Sequence, residues 1–291
     1  MRIAELVQYG ISELKAAGIP DCTSDVYLLA GHCLNKSRTQ LLAFGQDQVP
    51  IERENRFKEL LARRVKREPV AYILGEQEFW SLSFKVNSKV LIPRPETELL
   101  VEKALAATSG DSFPGEGKII DLCCGSGVIA IILALELKRE ILAIDISAEA
   151  LAVTKENCVL HGVGQLVELM QSDLLSEVIT RGDKVSMVVS NPPYVTTHAV
   201  LHEVEPEVGV YEPHLALDGG DEGLDQIVRI RRQLSDMLVE GGHLFMEIGA
   251  DQGTAVHAMF SEHVPGYRDF RKVEIISDYA GRDRILHAII A

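Results

Sequence analysis

Between Lys118 and Tyr194, four short apolar runs each close on an acidic or amide residue. Lys118-Ile119-Ile120-Asp121-Leu122 is the first, Ile141–Ile144 before Asp145 the second, and Leu166–Met170 before Ser172-Asp173-Leu174 the third. Lys184–Val189 before Ser190-Asn191 is the fourth. A Gly125-Ser126-Gly127 turn and an apolar stretch from Val128 to Leu137 fill the first interval. A helical segment over about 148–161 fills the second. Runs this short and this apolar suit parallel strands covered on both faces, and alternation with helices gives an open, doubly wound α/β sheet. Ligands of such sheets bind beyond the carboxyl ends of the strands. Asp121, Asp145, Asp173 and Asn191 are therefore expected around one crevice.

The glycine turn narrows the ligand. Glycines let a backbone approach a bound group closely, and the following helix offers unpaired N–H groups. Asp145 lies 18 residues beyond Gly127, where a carboxylate accepts hydrogen bonds from a ribose. Two cofactors compete. Gly125-x-Gly127-x-x-Ala130 meets the dinucleotide spacing, a weak signal alone. S-adenosylmethionine sites share the strand–turn–helix and often carry an acidic residue four positions before the first of these glycines, where Asp121 stands. A pyrophosphate is poorly served by so near a carboxylate, whereas a cationic methionine end tolerates it. Asp121 also reads as a turn cap, and Asp173 as a helix N-cap.

Asn191-Pro192-Pro193-Tyr194 supplies the chemistry. A planar amide or exocyclic amine is a poor nucleophile because its lone pair is delocalised. Two acceptors gripping its N–H bonds favour pyramidalisation as positive charge develops. The Asn191 side-chain oxygen is one acceptor. The Pro192 carbonyl, on a residue with fixed φ, is the other. Pro193 stiffens the next step, and Tyr194 offers a flat face for stacking. No strong base is required, since the cationic product loses a proton to water. Asn191, Pro192 and Tyr194 are thus the catalytic candidates, and Asn191 to Tyr194 the substrate-binding ones.

Ser190–Tyr194 with Asp121-x-x-x-Gly125-x-Gly127 resembles amino-methyltransferases of planar nitrogens. Arg94-Pro95-Glu96-Thr97-Glu98 is similar to the signature of the glutamine N5-methyltransferases of peptide chain release factors. So are Glu205–Val208, Glu212–Gly220, Glu247-Ile248-Gly249 and Asp278-x-x-Gly281-Arg282-Asp283-Arg284. The resemblance covers essentially the whole chain. It implies a seven-stranded, Rossmann-like methyltransferase sheet closed by strands at about 267–276 and 284–289, one of them antiparallel. It implies S-adenosyl-L-methionine as cofactor, S-adenosyl-L-homocysteine as product, and the glutamine of a Gly-Gly-Gln loop as acceptor. The residues expected to hold the cofactor are Asp121, Cys123, Cys124, Gly125, Ser126, Gly127, Asp145, Ile146, Asp173, Leu174 and Asn191. One departure stands out. The family usually has glycine at Cys123 and a small polar residue at Cys124, and cysteine restricts the backbone at that turn. Methyl transfer needs no nucleophilic cysteine.

The first ninety residues differ in character. They hold 13 basic and 11 acidic residues, against 16 and 32 in residues 91–291. The acidic part disfavours extensive contact with nucleic acid. Helical periods cover Ile3–Leu14, a segment after Ser24, and about 51–67. Phe79 to Leu91 reads as a β-hairpin turning at Asn87-Ser88, and Ile92–Pro95 as a stiff connector. The expected organisation is a helical substrate-docking domain over 1–75, a hairpin connector over 76–92 and a catalytic domain over 93–291. The basic run Arg63–Arg67 is read as a solvated helix face or part of a docking surface.

Five cysteines without a CxxC suggest neither a disulfide framework nor zinc. His198-x-x-x-His202-Glu203 lacks the order and third ligand of a metal site, and no metal is expected. Residues 196–221 show no clear period and read as a loop over the site or an unrecognised helix. Glu247 reads as structural. Charges within the N-terminal apolar stretch and an apolar run of only Val128–Leu135 point to no signal peptide and no membrane span. A cytoplasmic monomer acting on release factors is expected. Its rivals are a ribosomal-protein glutamine methyltransferase and a non-catalytic adaptor that binds release factors.

Overall fold

The central apolar runs form strands because both of their faces are covered. In a computed structural model describing residues 1–110, 113–234 and 237–291, the chain divides into two compact units. Residues 1–76 and 205–211 make one, and residues 77–204 and 212–291 the other.

The first unit is helical: α1 (Ile3–Ala16), α2 (Cys22–Leu34), α3 (Arg38–Ala43), α4 (Ile51–Val65) and α5 (Val70–Leu74). Leu6, Leu14, Val26, Leu29, Phe57 and Leu60 are buried together as its core. A capping box starts α3. The Ser37 hydroxyl accepts the Gln40 N–H at 3.3 Å, and the Gln40 side chain accepts the Ser37 N–H at 2.9 Å. The basic run is mostly paired inside this unit. Arg63 pairs with Glu68, Arg64 with Asp25 (2.6 Å) and Glu207 (2.8 Å), and Arg67 with Glu207 (3.2 Å). With Arg64 only 7% exposed, the run does not form the free basic docking surface.

The second unit opens with a hairpin, β1 (Glu76–Phe79) and β2 (Leu82–Lys85). Its turn is Trp80-Ser81 rather than Asn87-Ser88. Both residues have left-handed φ, 55° and 58°, as a two-residue hairpin turn requires. The Trp80 N–H is held by the Glu98 carboxylate at 2.7 Å. The hairpin buries Phe79 and Phe84 in the core of this unit, so it packs as part of the catalytic unit.

Then come α6 (Glu96–Thr108), β3 (Lys118–Leu122), α7 (Val128–Leu137), β4 (Ile141–Asp145), α8 (Ala148–Leu160), β5 (Val167–Gln171), α9 (Ser176–Arg181) and β6 (Val185–Ser190). The stretch read as a loop or an unrecognised helix holds α10 (Thr197–His202), α11 (Pro206–Tyr211) and a 3-10 turn at His214–Ala216. The chain ends with α12 (Asp225–Leu234), β7 (Leu238–Glu247), α13 (Gly253–Ser261), β8 (Phe270–Ser277) and β9 (Asp283–Ile290).

The seven-stranded order is β5-β4-β3-β6-β7-β9-β8. The first five strands are parallel, and β9 runs antiparallel between β7 and β8. Alternate residues feed two cores. Ile119, Ala143, Met187 and Val189 face α6, α7 and α8. Ile120, Leu142, Ile144 and Val188 face α9, α12 and α13. The connection reverses direction between β3 and β6, so their carboxyl ends flank the crevice of an open sheet. No helix among the described residues is long and apolar enough to cross a membrane.

Candidate active site

A cavity of about 400 Å³ lies at these carboxyl ends. Cys123, Cys124, Gly125, Ser126, Asp145, Ile146, Asp173, Leu174, Asn191 and Pro193 all line it. The strand ends thus bring most of the expected residues together. Asp121, Gly127, Pro192 and Tyr194 are not on its wall.

Asp121 lies beneath the glycine turn, fully buried. Its Oδ2 accepts the Ala130 N–H at 2.9 Å, which ties β3 to the first turn of α7. Its Oδ1 has no hydrogen-bond partner among the described residues, and burial pushes its carboxyl up to about 7. Gly127 is the N-cap of α7, with φ 81°. A Cβ there would meet Thr154 Cγ2 at 2.4 Å. At Gly125, φ is 55° and a Cβ would meet nothing within 4 Å, so this residue leaves a cradle open beside the wall.

Asp145, the last residue of β4, accepts the Gly125 N–H with Oδ2 and the Ser147 N–H with Oδ1, both at 2.9 Å. Burial raises its pKa against those bonds. The carboxylate is fixed toward the turn, and lone pairs remain for a ligand. Asp173 is held by Arg229, with 2.6 Å between Oδ2 and Nη2. Cys123 adopts a left-handed φ of 63°, a region that glycine enters freely and a cysteine only with strain. Burial raises both the Cys123 and Cys124 thiols, which leaves neither as a thiolate nucleophile.

Asn191 follows β6 directly. Its Nδ2 donates to the Thr97 hydroxyl at 3.2 Å, and that hydroxyl donates to Glu247 Oε2 at 2.7 Å. The Tyr194 phenol donates to the other oxygen of Glu247 at 2.9 Å. Glu247 is 1% exposed. Burial raises its pKa, opposed by the bonds from Thr97 and Tyr194. Tyr194 is therefore anchored by its hydroxyl rather than free to swing. The backbone behind it is clamped as well. Gln252 Nε2 donates to the Tyr194 carbonyl (3.0 Å), and Val195 exchanges backbone bonds with Leu217 and Gly219.

Sequence reasoning passed over Thr97, Arg94, Arg229 and Pro213–Ala216, which also line the cavity. Thr97 and Arg94 sit in the Arg-Pro-Glu-Thr-Glu stretch, and Pro213–Ala216 in the Glu212–Gly220 stretch. Those segments served as family signatures without being assigned to the site. His198 and His202 stand on α10, where His198 pairs with Glu203 at 3.1 Å.

The donor set fits S-adenosylmethionine. A fixed carboxylate ends β4, and the turn at Gly125 is open on the cavity wall. Fold and site define an S-adenosylmethionine-dependent methyltransferase. Residues 95–208 match the methyltransferase small domain, and residues 5–75 the PrmC N-terminal domain. The hMettl16 catalytic domain in complex with MAT2A 3'UTR hairpin 6 superposes with a TM-score of 0.53 at 16% identity, over 80% of this chain and 82% of that one. That likeness is one of fold.

Sequence relatives are more specific. Release factor glutamine methyltransferases are 36% identical in Clostridium botulinum (99% of each chain) and 37% in Cereibacter sphaeroides (99% and 98%). The Bacillus anthracis protein of the same name is 34% identical over the full length of both chains. The chain belongs to the release factor glutamine methyltransferase family.

Proposed function

We infer that this protein methylates the side-chain amide nitrogen (N5) of the glutamine in a Gly-Gly-Gln loop of peptide chain release factors. S-adenosylmethionine supplies the electrophilic methyl group when bound. Asp145 and the Gly125 turn would hold its ribose, and Asp173 with Leu174 its adenine. Asn191 on the cavity wall, at the carboxyl end of a strand two removed from the one bearing Asp145, carries the reading.

With Asn191 Nδ2 engaged by Thr97, its Oδ1 is the amide atom left to accept an N–H of the glutamine. The Pro192 carbonyl accepts the second. Two acceptors draw the nitrogen toward a pyramid and stabilise the charge it gains. Tyr194, fixed by Glu247, sets the position of the loop, and the product's extra proton passes to water. Residues 1–76 act as the substrate-docking part, and the unit of residues 77–204 and 212–291 as the catalytic one. The enzyme works as a cytoplasmic monomer without direct contact with nucleic acid, as the acidity of residues 91–291 favours.

The test is mass spectrometry of a purified release factor incubated with this protein and isotope-labelled methyl donor. One labelled methyl on the Gly-Gly-Gln glutamine is expected. Label on another residue, or none, would overturn the reading.

A further inference from the structure

An asparagine amide is nearly symmetric in shape, and only one of its two orientations helps this reaction. With Oδ1 toward the acceptor nitrogen, it accepts an N–H. With Nδ2 there, it sets donor against donor. Shape alone does not choose, so a hydrogen-bond chain behind the amide must. Glu247 ends that chain. Hydroxyls stand at both of its oxygens: the Thr97 hydroxyl donates to Oε2 at 2.7 Å and has its lone pairs left for Asn191 Nδ2 at 3.2 Å. The other carboxylate oxygen takes the Tyr194 hydroxyl at 2.9 Å. Thr97 is 3% exposed and Glu247 1%, so water does not compete for the middle of the chain.

We propose that Glu247, acting through Thr97, is a positioning residue that fixes the Asn191 amide with its oxygen toward the acceptor nitrogen, and anchors Tyr194 with its second oxygen. This rests on the role given to Asn191 above. It ties the start of α6, which carries Thr97, and the end of β7, which carries Glu247, to the motif after β6. Neither residue touches the reacting atoms.

Thr97→Val keeps the shape and removes the hydroxyl. Thr97→Ser keeps the hydroxyl. Thr97→Val is expected to lower kcat by about 10- to 100-fold, with KM for the release factor and Kd for the cofactor each within about threefold of wild type. Thr97→Ser is expected to bring kcat back to within about threefold of wild type. Glu247→Gln places a donor where only acceptors stood, lets the chain reverse, and is expected to lower kcat over a similar range.

Hydrogen exchange of the Asn191 side-chain NH2, followed by NMR in the full chain, reads the contact without turnover. It is expected to be slow in wild type and Thr97→Ser, and faster in Thr97→Val. Equal losses in the Val and Ser variants would show that packing, not the hydroxyl, matters. Unchanged exchange in Thr97→Val would show that Asn191 is held otherwise. Either result overturns the proposal. If wild type itself leaves the glutamine unmethylated, the functional reading fails. The exchange comparison still decides the relay, including from Glu247→Gln should Thr97→Val not fold.

Discussion

Gly125 and Gly127 both adopt left-handed φ, but they serve different ends. The Cβ of an alanine at 127 would fall 2.4 Å from Thr154 Cγ2. Thr154 cannot swing away, because its hydroxyl donates to the Gly125 carbonyl at 2.9 Å and it is fully buried. Gly127→Ala should lower unfolding free energy by about 2–3 kcal/mol, measured in urea without cofactor. Gly125→Ala meets open space and should cost only about 1–2 kcal/mol of backbone strain, while weakening cofactor binding at least about tenfold in calorimetry through the methyl placed in the cradle. If the two variants lose stability and affinity alike, the division of labour is wrong. Asn191→Ala should leave cofactor affinity nearly intact and lower kcat by about two to three orders of magnitude, the scale of one lost preorganised partner. A variant within threefold of wild type would remove Asn191 from the mechanism. At this scale the sequence exposed residues whose chemistry is read one at a time, such as Asn191 and Asp145. Thr97 escaped because a threonine gains its meaning only from Glu247, 150 positions away, and no spacing rule links them.

Elements were legible where burial is two-sided. The runs ending at Leu122, Ile144 and Ser190 have every residue buried or nearly so, and continuous apolar stretches of that length read directly as parallel strands. Helices α10 and α11 were not legible, because six residues make fewer than two turns and show no period. The hairpin turn was misplaced because Trp80-Ser81 lacks the asparagine or glycine that usually marks two left-handed residues. The basic run on α4 misled for a related reason: the acidic partner Glu207 lies on α11, more than a hundred residues later. Arg64 is buried between Asp25 and Glu207. Arg64→Ala would take the ion pair from Asp25 and leave Glu207 with Arg67, and should cost about 3–5 kcal/mol of stability. Arg63, 42% exposed at its side chain beside Glu68, should cost under about 1 kcal/mol when replaced by alanine. Chemical denaturation of the two variants checks the contrast; similar losses would mean the pairing of Arg64 is unimportant.

The whole molecule carries two consequences of its charge layout. His243 and His287 share a buried hydrogen bond, Nδ1 to Nε2 at 3.1 Å, on β7 and β9. Burial lowers the pKa of both, and that of His287 to about 4, with Lys272 adding to the effect. Both are neutral in the fold and titrate near 6.5 when unfolded. Their stabilisation is therefore present above about pH 6.5 and is lost as pH falls toward 4, by about 3 kcal/mol for His287. Unfolding free energy of His287→Phe should fall less than that of wild type over that interval; parallel curves would refute the assignment. The second consequence concerns substrate choice. A Gly-Gly-Gln loop offers little surface, and the acidic catalytic unit suits only a basic loop. Residues 1–76 should therefore make the discriminating contact with another part of the release factor, through a face other than the paired Arg63–Arg67 run. Binding energy remote from the reacting atoms then holds the glutamine at Asn191 and raises turnover. The fragment that tests this begins at Gln77, because Phe79 and Phe84 belong to the catalytic core, and each contributes about 2–3 kcal/mol by burial. Residues 77–291 should bind S-adenosylmethionine like the full chain yet methylate intact release factor at least about a hundredfold more slowly at limiting substrate, a loss of about 2.7 kcal/mol. A short Gly-Gly-Gln peptide should be an equally poor substrate for both. If truncation lowers the rate on peptide and on intact factor by the same ratio, the helical unit supports the fold alone and the docking idea falls.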